Sequence, residues 1–190
     1  MTKVSIDVAQ RNWRPSPIAG PIALVTTVDS LGRVNVAPKS LINFITVQPL
    51  RIFLGCNRGH HTAQNLLLGG ECVLNFPDDK LAETVWAAGE FREPGPGELA
   101  ALGLTAVPAV CVTPPRILEC RYHVECRLCD TRWMGDEGIF LLDILAASMD
   151  EEASQADDPY AVLRPIFFLE PGTYGVLTGS RRLDAPAQGA

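Results

Sequence analysis

Residues 21–76 read PIALVTTVDSLGRVNVAPKSLINFITVQPLRIFLGCNRGHHTAQNLLLGGECVLNF, and their pattern decides the fold. Pro21 to Val28 is a short apolar, β-branched run, which predicts a strand. Asp29-Ser30-Leu31-Gly32 supplies turn chemistry. Arg33 to Ala37 then alternates polar and apolar, as the return strand of a hairpin does. Pro38 lacks a donor N–H and is expected to stop regular pairing there. Leu41 to Val47 and Arg51 to Gly55 are two more apolar segments. Thr62 to Leu68 reads as a short helix, with Thr62 as N-cap and Gly69-Gly70 as its stop. Cys72 to Phe76 is again a strand. The polar breaks 35–40 and 56–62 interrupt an otherwise apolar half. A greasy sheet with two polar loops, one of them opening a helix, suits a ligand with a flat ring and a phosphate tail.

Outward from this stretch, Asp78 to Ala88 has helical periodicity, with Leu81, Val85 and Trp86 on one side and an acidic start that suits the helix dipole. Residues 89–97 form a Pro/Gly-rich loop, and Glu98 to Leu102 one further helical turn. The second half is strand-rich. Ala109 to Val112, Ile117 to Cys129, Gly138 to Ser148, Arg164 to Leu169 and Thr173 to Leu177 are expected strands. Cys120, Tyr122, Val124, Cys126 and Leu128 share one face of the second of these. Asp150 to Asp158 reads as an acidic loop. Eight to ten short strands with two or three helices favour an antiparallel barrel over a βαβ fold, because the crossover helices are missing.

The bulk numbers narrow the function classes. At 190 residues, 47% apolar and 20% charged, the chain is long enough for one domain with a real core. Its net charge of −6 argues against a nucleic-acid binder and requires local groups to hold any phosphate. No apolar run approaches the roughly 18 residues that cross a bilayer, and Met1 to Pro17 has no apolar core of a signal peptide. A cytoplasmic location with reduced thiols for the six cysteines is the expectation. There is no P-loop, no Gly-x-Gly-x-x-Gly and no Gly-x-Ser-x-Gly elbow. Cys126-x-x-Cys129 is a single pair whose members point to opposite strand faces, so no metal site is expected. A zinc-stabilised domain on Cys120, Cys126 and Cys129 is the structural alternative.

Several segments together resemble the flavin reductase-like, FMN-binding split-barrel family. They are Ala23-Leu24-Val25-Thr26-Thr27, Gly32, Asn35-Val36-Ala37-Pro38-Lys39-Ser40, Pro49, Thr62-Ala63-Gln64-Asn65-Leu66 and Val73-Leu74-Asn75. Leu118-Glu119-Cys120, Ile139-Phe140-Leu141 and Tyr174 follow in order. The resemblance implies a mainly β, Greek-key split β-barrel with a few short peripheral helices, spanning residues 21–178 between an arm (1–20) and a tail (179–190). It implies a homodimer binding FMN non-covalently, with FAD as the alternative flavin and NAD(P)H as a transient electron donor. It also implies a partner monooxygenase or other electron acceptor. The implied flavin contacts are Asn35, Ala37, Pro38, Lys39 and Ser40, then Cys56, Asn57, Arg58, Thr62 and Asn65. His61 joins them, because His60 and His61 face opposite ways in an extended segment and His61 adjoins Thr62. No catalytic side chain is required, since the cofactor carries the chemistry. Taken singly, each residue also has a plain structural role: Thr62 as a cap, Arg58 as a solvated cation, Asn35 as a turn-edge residue. One departure matters. Relatives that use NAD(P)H often carry Gly-Asp-His before an Ile-Phe strand, where this chain has Gly135-Asp136-Glu137-Gly138-Ile139-Phe140. A flavin carrier without its own NAD(P)H oxidase activity is therefore the rival reading.

Overall fold

The computed structural model describes residues 1–5, 18–90 and 97–183. Most of the expected arm, part of the 89–97 loop and the end of the tail lie outside the described residues.

In chain order the elements begin with β1 (Gly20–Pro21), β2 (Ala23–Val28), β3 (Val34–Lys39), β4 (Ile42–Val47) and β5 (Leu50–Asn57). Helix α1 (His61–Gly69) leads to β6 (Glu71–Phe76), α2 (Ala82–Ala88) and α3 (Glu98–Ala101). A short pair, β7 (Ala106–Val107) and β8 (Arg116–Ile117), precedes the long hairpin of β9 (Tyr122–Met134) and β10 (Glu137–Met149). Then follow α4 (Glu151–Gln155), α5 (Pro159–Leu163), β11 (Ile166–Glu170) and β12 (Thr173–Val176). Seven strands form one antiparallel sheet in the order β3-β2-β6-β9-β10-β5-β4, and β1-β11-β12 form a second. This is the expected mainly β, split-barrel architecture.

Strand β2 explains the opening apolar run. Ala23 and Val25 point into one core with Leu54, Leu66, Leu74 and Phe140. Ile22 and Leu24 point into another with Val36, Val85, Ile117 and Ile166. A strand buried on both faces needs apolar residues at successive positions. Gly32 closes the β2–β3 turn with φ +77, while the Asp29 carboxylate accepts from the N–H groups of Leu31 and Arg33. Gly20 is tight for another reason: a Cβ there would strike the Ser40 carbonyl. Only glycine lets β1 lie against the end of β3.

Several boundaries differ from expectation. Pro38 does not end the pairing, since β3 continues to Lys39 with Pro38 opposite Leu24. As β3 is an edge strand, the missing N–H faces away from the ladder. Strand β5 runs on to Asn57, so Cys56 and Asn57 are sheet residues rather than loop. Thr62 is not the N-cap of α1. His60 takes that position without a side-chain cap, and Thr62 lies inside the helix. Residues 109–112 form no strand: the buried Glu125 carboxylate accepts from Val110 and Cys111 N–H and pins them as a loop. The acidic 150–158 stretch contains helix α4. Trp86 does not pack inward with Val85 but stands 64% exposed.

Candidate functional site

The end of β3, the start of α1 and the segment after α2 meet around a cavity of about 170 Å³. Asn35, Ala37, Pro38, Lys39, His61 and Thr62, all expected from sequence, line it. Their placement has a local cause. Strand β3 carries its side chains past the start of α1, where His60 stands at the N-cap without a side-chain cap and its carbonyl accepts from the Ala63 and Gln64 N–H groups. The Lys39 ammonium donates to His60 Nδ1 at 3.1 Å. An ammonium has no acceptor, so Nδ1 must be unprotonated and the ring proton sits on Nε2. Partial burial and the Lys39 charge both push the His60 pKa down, which keeps this ring neutral. Behind the wall, Asn35 Nδ2 donates to Thr62 Oγ1 over a long 3.5 Å, with both residues buried. This donor set of ammonium, imidazoles, amide and hydroxyl matches the chemistry of an anion. Glu90 and Glu98 also line the cavity and oppose that charge.

Next to it lies a cavity of about 730 Å³, sharing Pro38, Lys39, Gly89 and Glu90 with the smaller one. Ser40 lines only the larger one. Ile22, Val85 and Ile166 make an apolar floor, and Trp86, Phe168 and Tyr174 contribute aromatic surface. A larger, mainly apolar chamber bordering a small polar one has the form of a site for a ring with a charged tail.

Four of the residues expected as flavin contacts stand outside both cavities. Cys56 belongs to the core beneath, its Sγ 3.7 Å from His60 Nδ1, and burial pushes its thiol pKa up. Asn57 shapes its own turn, accepting from Gly59 N–H and donating to Glu137 Oε1 at 2.9 Å. Arg58 turns toward the β9–β10 hairpin. It donates to the Gly135 carbonyl, pairs with Asp136 at 3.4 Å and lies 4.6 Å over the Trp133 ring. Asn65 donates to Thr27 Oγ1 at 3.0 Å and ties α1 to β2. Glu137 is the acceptor for Asn57. Conversely, His60, Trp86 and Phe168 line the site without having been singled out for it. An extended segment would turn His60 away from His61, but the helix begins at His61 and both histidines line the cavity.

The sequence model of the flavin reductase like domain matches residues 15–170. The chain belongs to the flavin reductase-like domain family. A relative, the uncharacterized protein YwrF of Bacillus subtilis, is 31% identical over 173 residues, 84% of each chain. Among solved structures, 2-nitrobenzoate 2-nitroreductase NbaA of Pseudomonas fluorescens superposes with a TM-score of 0.84 at 23% identity, covering 100% of this chain and 98% of that one. Flavoredoxin of Desulfovibrio vulgaris (Miyazaki F) gives 0.80 at 21%, covering 98% and 99%. A Shewanella frigidimarina chain with a split barrel domain gives 0.81 at 17%, covering 96% and 94%. At these identities the structures establish the shared fold. No helix among the described residues is long and apolar enough to cross a membrane.

Proposed function

We propose that the protein binds FMN non-covalently across the two joined cavities and works as an NAD(P)H-dependent flavin reductase. The observation that carries this reading is the join itself. Pro38 and Lys39 border both an apolar chamber sized for a ring and a small cavity walled by anion-binding groups. Ala37 to Ser40 would lie along the ring. Lys39, His60, His61 and the first turn of α1 would hold the phosphate. Asn35 and Thr62 would support that turn from behind. When bound, the flavin supplies two-electron redox chemistry between NAD(P)H and a second acceptor, such as a partner monooxygenase. The protein's own part is to bind, to orient and to shield. Lys39 places positive charge beside the site, and the floor of Ile22, Val85 and Ile166 excludes water. FAD is the alternative flavin.

The second reading is a flavin carrier that does not oxidise NAD(P)H. It is favoured by Glu137, an acid engaged with Asn57 in the stretch where relatives often have histidine. Anaerobic stopped-flow reduction separates the two. Rapid bleaching of bound flavin by NADH or NADPH supports the reductase, and bleaching by dithionite alone supports the carrier.

A homodimer is part of the proposal. Strand β4 is an edge strand whose Phe44, Ile45 and Val47 are 65%, 49% and 80% exposed. An apolar edge of that kind invites a partner. A second copy of the chain is the proposed cover.

A further inference from the structure

We propose that capture of the flavin phosphate is proton-linked: the phosphate draws the Lys39 ammonium off His60, and His60 takes up one proton from water at Nδ1. This link rests on the flavin reading, in which the small cavity takes the phosphate, and it makes flavin loading depend on pH.

His60 Nδ1 has two neighbours. The Lys39 ammonium donates to it at 3.1 Å, and Cys56 Sγ lies 3.7 Å away. Here the ring is the acceptor that holds Lys39 at the wall of the small cavity. That seat exists only while Nδ1 is unprotonated, because an ammonium and an imidazolium are both donors. A phosphate beside them changes the balance. Its charged oxygens are stronger acceptors for an ammonium than a neutral ring nitrogen is. Once Lys39 turns to them, Nδ1 is free to bind a proton, and the phosphate charge favours the imidazolium. The new N–H then has a weak acceptor already in place, Cys56 Sγ, since burial holds that thiol in its neutral form.

Other titratable groups face the ring from the elements around it. Glu137 of β10 raises its proton affinity, and the neighbouring His61 lowers it. Glu90 and Glu98 line the same cavity. Partial burial, then the Lys39 charge, hold the His60 pKa below the ordinary 6.5. Moving Lys39 onto an anion weakens the second cause, and the anion itself pushes the pKa up. The residue stays open to solvent, so water can deliver the proton. Linkage is reciprocal: if phosphate raises the proton affinity of His60, protons raise the affinity for phosphate by the same factor.

The test is isothermal titration calorimetry of the full chain, freed of flavin, with FMN in two buffers of different ionisation enthalpy. The difference between buffers reads the protons taken up. At about pH 7 the expected uptake is about half a proton or more per FMN, and affinity should tighten about twofold or more from about pH 8 to about pH 7. The FMN phosphate, with a second pKa of about 6, can release only about a tenth of a proton there. Riboflavin, the same ring without phosphate, should bind with no uptake. His60→Gln cannot titrate and should abolish the uptake. His123→Asn, at a histidine that lines neither cavity, should leave it unchanged. Proton NMR of the unaltered protein needs no substitution: saturating inorganic phosphate should raise the His60 titration midpoint. Visible absorption follows FMN binding in the same samples. If FMN fails to bind while inorganic phosphate still raises that midpoint, the flavin reading falls and the proton-linked anion site stands. If FMN binds with no net uptake, or with undiminished uptake in His60→Gln, the link is overturned. A His60 midpoint that moves with neither FMN nor inorganic phosphate overturns it as well.

Discussion

Replacing Lys39 with glutamine separates anion binding from folding. The side chain is only half-buried, and its ammonium donates a 3.1 Å hydrogen bond to His60 Nδ1 beside the Cys56 thiol. Partly exposed polar contacts of this kind contribute about 0–1 kcal/mol, so the denaturation midpoint should hardly move. A charge-assisted contact to a phosphate is larger, about 1.5–3 kcal/mol. Its loss weakens FMN binding by about 10–150-fold. The substitution also has a second, independent signature. The Lys39 charge is one of the causes that lower the His60 pKa, after burial. Removing a positive neighbour favours the protonated ring, so the His60 titration should move up. Fluorescence titration with FMN reads the first effect, and proton NMR of the histidine ring reads the second. FMN affinity within threefold of the unaltered protein would refute the phosphate assignment. An unmoved His60 titration would refute the contact itself.

Other predictions follow from particular contacts. Arg58→Ala removes a guanidinium committed to Trp133, Gly135 and Asp136, so FMN affinity should change less than threefold while stability falls by about 0.5–1 kcal/mol in urea unfolding. Glu125→Ala strips a fully buried carboxylate from Arg116 and from the N–H groups of Val110 and Cys111, and should cost about 3–5 kcal/mol by the same assay. Burial, the largest cause, lowers the pKa values of both His60 and His123 from the ordinary 6.5. The unfolded chain then takes up these protons first, so stability is full above 6.5 and declines as pH falls through 6.5 toward the folded values. A melting temperature followed from neutral pH downward should show this loss, and His123→Asn should flatten part of it. Val47→Asp on the exposed edge of β4 should convert the proposed dimer to a monomer in light scattering, with the melting profile of the isolated chain preserved.

The sheet was readable because its signals are local. The doubly buried β2 shows as an unbroken apolar run, and the end of α1 shows as Gly70, whose φ is +70. The failures have tertiary causes. Glu125 occupies what reads as an outward position of an alternating strand, yet the 108–116 loop covers that face and uses the carboxylate as its anchor. Nothing near residue 109 in the sequence announces this. Pro38 signals a strand end unless the strand is known to lie at an edge. Helix α5 did carry a signal, Asp158 capping ahead of Pro159, but the acidic composition before it reads more strongly as loop. At the site, Asn35 to Lys39 and His61-Thr62 border the same small cavity, and Ser40 borders the larger one. The aromatic part of the larger cavity is drawn from α2, β11 and β12, far apart in the chain, and only the fold assembles it.

The central claim is that this chain binds FMN, and the visible absorption spectrum during an FMN titration tests it most directly. Flavin bands should shift on binding and saturate near one flavin per chain, with the bound flavin retained through gel filtration. An unperturbed spectrum of free FMN, together with protein that elutes colourless, would contradict it.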